Sequence, residues 1–169
     1  MENIHDPHNV SAIYRTCDSV GVPKVLLLYN IEDFPKISKV SSSSANKWVE
    51  TEKYTDTKEC YDSLRKKGFK IYASLLSEDA VDMYSIDMTE KVAFVFGNEH
   101  RGVSEAAAEL ADEVFYIPMR GMIQSLNVSV ATAVTLYEAQ RQRTLKGMYE
   151  KSELDDEQLE KLIDEWCDK

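Results

Sequence analysis

Three short segments of this 169-residue chain combine polar, charged and glycine residues in patterns that could support chemistry. The first, HNVSAIYR, ends at Arg15, which lies off the apolar stripe of a predicted helix and one turn beyond Ser11. Helix N-termini and arginine side chains both favour phosphate groups, so this segment could bind a phosphate. An ion pair between Arg15 and Asp18 on the helix surface would explain the same residues without any ligand.

The second segment, FGNEHRG, directly follows a predicted buried strand. Ligands of open α/β sheets bind beyond the carboxyl ends of the strands. The two glycines permit close backbone approach, and the Glu-His-Arg triplet places charges at the rim. A tight turn before a helix cap at Ser104 is the alternative, and the spacing alone does not decide between the two.

The third segment, IPMRGMIQSLN, is too long and too mixed for an ordinary connection between a strand and a helix. Its apolar members Ile117, Met119 and Leu126 can line a slot. Ser125 and Asn127 supply polar contacts near the start of a helix. A helix cap at Ser125 or Asn127 would explain only the end of the segment.

Signatures of several common sites are absent from the sequence, including GxGxxG, the P-loop, HExxH and GxSxG. His5 and His8 are three residues apart, but Pro7 separates them and no cysteine or further histidine lies nearby. A polar loop explains this pair better than a metal site, and we expect no metal.

Apolar runs predict the elements that must position these segments. Continuous rather than alternating apolarity indicates strands covered on both faces, and the helical patterns between them predict an α/β fold with mostly parallel strands flanked by helices. The predicted strands are 24–29, 69–73, 91–96 and 114–117.

Helices are predicted from caps and apolar stripes. The first should begin near Asn9 as N-cap and end at Gly21. The remaining ones are predicted over 57–67, after a cap at Ser104, and from about Asn127 to Arg143. The last of these starts apolar on nearly all sides, which predicts that its first half lies deep in a core or an interface.

The C-terminal part differs in composition from the rest. Residues 150–169 contain nine acidic and three basic residues, so they carry −6 of the net charge of −10. SELD at 152–155 resembles a capping box before an amphipathic stripe, which predicts a helical tail, and Ser41 to Ser44 suggest a loop. The negative charge argues against indiscriminate nucleic-acid binding but leaves room for a local basic face.

Three widely spaced cysteines with no CxxC pair fit a reducing compartment better than a disulfide framework. The sequence contains neither an apolar run of membrane-spanning length nor a signal peptide at its start. We therefore expect a cytoplasmic protein.

Taken in order, the three segments resemble the three motifs of the SpoU/TrmH group of SPOUT RNA 2′-O-ribose methyltransferases. HNVSAIYRTCDSVG is similar to the first motif, FVFGNEHRGVSE to the second and IPMRGMIQSLNVSVATAVTLYEA to the third. The resemblance covers about residues 2 to 147, and the wording of the third motif is closest to the branch that methylates guanosine 18 of tRNA.

The resemblance implies an α/β domain over 1–147 whose C-terminal part forms a deep trefoil knot, with 148–169 as an acidic helical tail. It also implies binding of S-adenosyl-L-methionine in the knot and a homodimer through the helix starting near Asn127. The cofactor-binding residues implied by the motifs are Ser74, Leu76, Gly97, Ile117, Met119, Ser125 and Leu126. The implied catalytic residues are Asn9, Arg15, Glu99, Ser125 and Asn127.

The implied reaction is methylation of an RNA ribose 2′-hydroxyl, most simply at guanosine 18 in the D-loop of tRNA. Arg15 stays protonated at physiological pH, so we expect it to hold a phosphate and stabilise the developing alkoxide rather than accept the proton. Ribosomal RNA, another tRNA position, or a non-catalytic RNA-binding module that keeps the knot are the alternatives. With an acidic tail, RNA contact would fall on Arg15, Arg101, Arg120, Arg141, Arg143 and Lys146.

Overall fold

The computed structural model describes residues 1–35, 45–150 and 154–167. The strands in these ranges are β1 (Lys24–Leu28), β2 (Glu50–Tyr54), β3 (Lys70–Ser74), β4 (Val81–Asp82), β5 (Val92–Val95) and β6 (Glu113–Tyr116). The helices in the same ranges are α1 (Pro7–Ser19), α2 (Thr57–Lys66), α3 (Glu105–Leu110), α4 (Val128–Leu145) and α5 (Asp156–Cys167).

The strands form two parallel ladders that the first three residues of the chain join. One ladder pairs β1 with β2, and the other has the order β4-β6-β3-β5. Between them, the Glu2 N–H donates to the Phe96 carbonyl at 2.8 Å, and the Asn3 N–H donates to the Leu28 carbonyl at 3.0 Å. The sheet is therefore a continuous, parallel row in which residues 1–3 lie between β1 and β5.

The predicted α/β class, the parallel sheet and all four predicted strands are confirmed, but β2 and β4 were missed. The sequence of β2, ETEKY, is mostly charged because this strand forms the edge beside β1. Strand β4 contains only two residues. Neither strand is apolar enough or long enough to give a recognisable pattern.

The prediction that Asn9 caps the first helix is wrong. Helix α1 begins at Pro7, and the Asp6 carboxylate is the cap, accepting a hydrogen bond from the His8 N–H at 2.8 Å. Proline suits the first helical position because its missing N–H would have no helical partner there. The Asn9 amide is consequently not used as a cap and can form tertiary hydrogen bonds.

The other predicted helix ends agree closely with the structure. Ser104 caps α3 by accepting a hydrogen bond from the Ala107 N–H, and Asn127 caps α4 by accepting one from the Ser129 N–H. Helix α2 ends at Lys66, shortly before Gly68, whose φ of 82° allows the chain to reverse.

Helix α4 contributes side chains to two of the apolar clusters of the core. Its side chains pack against α1 in one apolar cluster and against β3 and β6 in another. The expected depth of its first half is only partly observed: Ala131, Thr132 and Thr135 are buried, whereas Val130 and Tyr137 are 46% and 51% exposed. One apolar face of α4 therefore remains uncovered in the single chain.

The acidic C-terminal segment forms helix α5, as the amphipathic stripe predicts. The indole rings of Trp166 and Trp48 meet edge to face, with centroids 5.6 Å apart, so the tail helix contacts the body of the protein. The predicted loop at Ser41 to Ser44 and the first half of the SELD capping box lie outside the described residues.

Cys17, Cys60 and Cys167 are free thiols, of which Cys17 and Cys60 are buried and Cys167 is exposed. Within the parts of the chain that are described, no helix has both the length and the apolarity needed to cross a membrane.

Candidate functional site at the carboxyl edge of the sheet

Three of the predicted cofactor-binding residues leave neighbouring strands at the same edge of the sheet. Ala73 pairs with Val95 of β5, and Ser74 pairs with Phe115 of β6. Gly97 lies two residues beyond Val95, and Ile117 lies two residues beyond Phe115. Parallel register therefore brings Ser74, Gly97 and Ile117 together, in the position where open α/β sheets bind ligands.

Three residues from the three motif segments form a connected polar cluster at this edge. The Asn9 amide donates to Glu99 Oε1 at 2.8 Å, and Asn9 Oδ1 accepts a hydrogen bond from the Asn127 amide at 3.1 Å. The carboxylate of Glu99 also accepts from the backbone N–H groups of His5 at 2.9 Å and Asp6 at 3.1 Å. The fold thus brings together Asn9, Glu99 and Asn127.

The hydrogen bonds to Glu99 keep it ionised. Burial alone would raise the pKa of its carboxyl group, but the bonds from the Asn9 amide and from the backbone of His5 and Asp6 outweigh burial. The pKa therefore lies below its ordinary value. An ionised Glu99 accepts hydrogen bonds only, which fixes the orientation of the Asn9 amide.

Asn127 has two functions in this arrangement. Its Oδ1 caps α4 by accepting from the N–H and the hydroxyl of Ser129, at 2.9 and 2.6 Å. Its amide nitrogen remains available for Asn9. Both proposed uses of this residue, cap and site, are therefore compatible.

The loop after β5 is held in a tight conformation by its glycines. An added Cβ at Gly97 would lie 2.2 Å from the carbonyl carbon and oxygen of Gly102 and 2.3 Å from the Val103 nitrogen. Asn98 and Gly102 exchange backbone hydrogen bonds of 3.0 and 2.8 Å across the loop. The tight-turn explanation of FGNEHRG is therefore correct for Gly97, and the turn is what projects Glu99 towards Asn9.

Two buried asparagines that support these loops carry no recognisable signal in the sequence. The Oδ1 atom of Asn3 accepts from three successive backbone N–H groups, those of Asn30, Ile31 and Glu32. The amide of Asn98 donates to the Asn3 carbonyl at 2.8 Å. Asn3 has a φ of 48°, a conformation that asparagine tolerates better than most residues, but nothing local in the sequence signals it.

A similar role falls to Glu2, a buried acid near the start of the chain. Its carboxylate accepts hydrogen bonds from both the N–H and the hydroxyl of Ser104, at the N-terminus of α3. Residues 2 and 3 thereby fasten the loop after β5 at both of its ends.

The residues predicted to line an apolar slot are partly uncovered. Leu126 is 40% exposed and Leu76 is 62% exposed, whereas Ser74, Ile117 and Met119 are half-buried and Gly97 is buried. The segment between β6 and α4 has no regular secondary structure, and its Met122 is almost completely exposed. An open apolar surface thus adjoins the polar cluster, and Ser125 lies on it as an exposed side chain.

Arg15 is not part of the Asn9–Glu99–Asn127 cluster. Six residues separate it from Asn9, which places the two side chains about 120° apart around α1. Arg15 instead lines a shallow cleft of about 340 Å³ with Ala12, Thr16, Ser19 and Tyr137. It makes no hydrogen bond or ion pair with the described residues, so the alternative pair with Asp18 is not formed.

The other basic residues predicted to contact RNA occupy different environments. Arg101, close to the cluster, pairs with Glu32, whereas Arg120 is exposed on the segment before α4. Those near the end of α4 are engaged elsewhere: Arg141 with Glu138, Arg143 with the carbonyls of Met88 and Glu90, and Lys146 with Thr89. This second group lies at the far end of an 18-residue helix, roughly 20 Å from its start.

In the described parts of the chain, no group of three His, Cys, Asp or Glu residues is arranged to hold a metal ion. The arrangement instead offers amides, one fixed carboxylate and an apolar surface.

Comparison with known families accounts for this arrangement. The profile of the SpoU rRNA Methylase family matches residues 1–137, which include all three motif segments. The chain belongs to this family. The elements that bring Asn9, Glu99 and Asn127 together are therefore those of a SpoU domain.

Its SpoU relatives include proteins that match over nearly the whole chain. The tRNA (guanosine(18)-2′-O)-methyltransferase of Thermus thermophilus is 46% identical over 169 residues, which are 100% of this chain and 87% of the relative. The enzymes of the same name from Aquifex aeolicus and Escherichia coli are each 42% identical, covering 98% and 96% of this chain and 79% and 72% of the relatives.

Solved SpoU structures share the fold. The crystal structure of the A. aeolicus TrmH/SpoU tRNA modifying enzyme superposes with a TM-score of 0.90 at 42% identity, covering 98% of this chain and 84% of that one. The SpoU methyltransferase AviRb from Streptomyces viridochromogenes, in complex with AdoMet, superposes with a TM-score of 0.74 at 27% identity, covering 82% and 57%.

Proposed function

We propose that this protein transfers a methyl group from S-adenosyl-L-methionine to the ribose 2′-hydroxyl of guanosine 18 in the D-loop of tRNA. The observation that carries the proposal is the hydrogen-bonded cluster of Asn9, Glu99 and Asn127, one residue from each motif segment, beside an open apolar surface. The near full-length similarity to guanosine-18 methyltransferases supports the choice of substrate.

The cofactor suits the residues that surround the cluster. Its adenine and methionine parts need apolar contact, and Leu126 and Leu76 leave apolar surface uncovered at the edge where β3 and β6 end. The residues that would hold it are Ser74, Leu76, Gly97, Ile117, Met119, Ser125 and Leu126. Bound there, the cofactor supplies an electrophilic methyl group.

The side chains of the protein have to orient the ribose and manage its charge. The carboxylate of Glu99 fixes the Asn9 amide, and Asn9 Oδ1 in turn accepts from the Asn127 amide, so both side chains are positioned without any cost of reorganisation during the reaction. The Arg15 guanidinium is a cation that would bind phosphate and stabilise the alkoxide that forms as the 2′-hydroxyl passes its proton to the RNA phosphate or to a water. Holding hydroxyl and methyl group in line supplies much of the rate.

We also propose that two copies associate through α4. The uncovered side chains of Val130 and Tyr137 support such an interface. Because Arg15 and Tyr137 line the same cleft, Arg15 would lie at the edge of that interface, and the assembly would decide which groups it faces.

The domain division we propose is a methyltransferase domain over 1–147 with a trefoil knot, and a tail over 148–169. The knot is implied by the family; in the structure, the Gln142 side chain of α4 accepts from the Met88 N–H and donates to the Ile86 carbonyl. The helix is thus bonded to the chain segment that precedes β5. A tRNA substrate further implies that the protein works in the cytoplasm.

Transfer of a labelled methyl group from S-adenosyl-L-methionine into an unmodified tRNA transcript tests the function. The matched control is the same transcript already methylated at guanosine 18, which should accept no label. Arg15→Ala should lower kcat/KM by about 100-fold or more, the size expected for loss of a group that stabilises transition-state charge. Label at another nucleotide or only in ribosomal RNA would overturn the substrate, and no cofactor binding by calorimetry would overturn the enzymatic proposal.

A further inference from the structure

A second charged group of residues lies beside the polar cluster and is not explained by the proposed reaction. Glu32 Oε1 accepts a hydrogen bond from Arg101 Nη2 at 2.7 Å, and Glu32 Oε2 lies 3.3 Å from His5 Nδ1. We call these three residues the His5–Glu32–Arg101 group. The Arg101 and His5 side chains are 51% and 69% exposed, so both face solvent.

The group belongs to the carboxyl edge of the sheet. His5 follows the segment 1–3, Glu32 follows β1 and Arg101 follows β5, and these three are neighbours in the sheet. The backbone N–H of His5 donates to Glu99 Oε2 at 2.9 Å, so the group directly adjoins the Asn9–Glu99–Asn127 cluster. An RNA strand bound at the cluster would therefore have these side chains beside it.

The contact between Arg101 and Glu32 differs from other arginine contacts in the protein. Arg141 binds Glu138 through two nitrogens at 2.8 Å each, and Arg65 binds Asp112 and the Leu110 carbonyl together. Arg101 uses one nitrogen on one carboxylate oxygen. An exposed ion pair of this kind contributes little and is screened by salt, whereas a phosphate can engage the guanidinium through two parallel hydrogen bonds.

The carboxylate also has the partners that a phosphate would have. One of its oxygens is bound by a guanidinium and the other by an imidazole nitrogen, and the backbone N–H of Glu32 is fixed to Asn3 Oδ1 at 3.1 Å. Two outward-facing donors therefore converge on an anion that the chain itself supplies.

We propose that His5 and Arg101 form a subsite for a phosphodiester of the RNA substrate, and that Glu32 occupies this subsite in the RNA-free protein. The inference rests on the proposed action on RNA, since a phosphodiester is the anion that such a substrate brings to this edge. On binding, Arg101 exchanges the Glu32 carboxylate for the phosphate, while Glu32 stays attached through its backbone. Glu32 thereby lowers RNA affinity.

The test is a double-mutant cycle on binding of an unmodified tRNA transcript without cofactor, measured by fluorescence anisotropy at fixed ionic strength. Glu32→Gln should tighten binding by about 2- to 5-fold, the range expected for release of one surface ion pair. Arg101→Ala should weaken tRNA binding. When Arg101 is already alanine, Glu32→Gln should raise tRNA affinity no more than removal of a negative charge far from the subsite does. Adding His5→Ala to Glu32→Gln should reduce the gain.

The matched control is Glu113→Gln, because Glu113 also makes a single exposed contact, with Lys70 at 2.8 Å, at the opposite edge of the sheet. Unchanged or weaker binding by Glu32→Gln would overturn the proposal, as would a gain that persists fully in the Arg101→Ala background. Such results in a protein that still methylates tRNA would refute the subsite alone. A wild-type protein that binds tRNA but transfers no methyl group would refute the proposed function and leave the cycle interpretable.

Discussion

The side-chain nitrogen of Asn9 lies 2.8 Å from Glu99 Oε1, although 90 residues separate the two in the chain. This contact fastens the first turn of α1 to the loop after β5. It exists because Asp6 caps the helix and leaves the Asn9 amide without a capping function. Asn127 then joins the same amide from the start of α4, so one asparagine connects all three motif segments.

Replacement of Glu99 by Gln should impair both the site and the fold. The Glu99 carboxylate accepts hydrogen bonds from three N–H donors. A glutamine at this position must turn its NH₂ group towards one of them, and that N–H then has no acceptor. We expect a loss of about 1–3 kcal/mol in the free energy of unfolding, measured by urea denaturation, and at least 10-fold lower methyl transfer. Wild-type stability in this variant would show that the hydrogen bonds contribute nothing.

The difference in stability between the wild type and Glu99→Gln should depend on pH. The folded-state pKa of Glu99 is depressed, so its stabilisation is fully present above the unfolded value of about 4.3 and is lost as pH falls through the folded value. The difference in unfolding free energy between wild type and Glu99→Gln should therefore be constant near pH 7 and shrink at strongly acidic pH. A difference that grows on acidification would contradict the assigned direction of the pKa.

Gly97→Ala and Gly121→Ala form a matched pair of glycine substitutions. The new Cβ at position 97 would lie 2.2 Å from backbone atoms that cannot rotate away, whereas the one at position 121 meets nothing within 4 Å. We expect Gly97→Ala to cost about 2–4 kcal/mol of unfolding free energy and Gly121→Ala to be neutral or slightly stabilising. Thermal unfolding of the two variants measures the contrast, and equal melting temperatures would refute it.

Asn3 should prove important for stability in spite of its position near the start of the chain. Asn3→Ala removes the acceptor of three backbone N–H groups, and we expect a loss of about 2–3 kcal/mol in unfolding free energy. Asn3→Asp keeps the acceptor oxygen but loses the amide that donates to Asn30 Oδ1 at 2.7 Å, so it should recover only part of that loss. If the two variants unfold at the same urea concentration, hydrogen bonding at Oδ1 is not the reason for the effect.

Arg141 should contribute to the stability of the fold, whereas Arg15 should not. Arg141→Ala leaves the Glu138 carboxylate, only 8% exposed, without its main partner, and the hydrogen bond from Arg141 is the leading cause of the lowered Glu138 pKa. We expect about 1–2 kcal/mol lower stability for this variant. Arg15→Ala should change the unfolding free energy by less than about 0.5 kcal/mol, because the side chain has no partner in the described structure. The reverse order of the two unfolding free energies would contradict the assignment.

Local sequence patterns were sufficient to predict the strands that are buried and the helices that have a capping residue. Continuous apolar runs predicted β1, β3, β5 and β6, and the caps at Ser104 and Asn127 were recognisable because they involve residues close together in the chain. The charged edge strand β2 was missed for the complementary reason: its partner is distant and its surface faces solvent. The motif segments also indicated the family directly.

Only the tertiary structure determined which side chains far apart in the sequence bond to each other. The sequence predicted that Asn9, Glu99 and Asn127 act together, but it assigned Asn9 to a helix cap and could not separate the paired Arg101 and Arg141 from Arg15, which has no partner among the described residues. It also gave no sign that Asn3 would hold three backbone N–H groups of another loop. Periodicity reports which face of an element is buried, whereas a hydrogen bond between residues far apart in the chain depends on which loops the parallel sheet brings to the same edge.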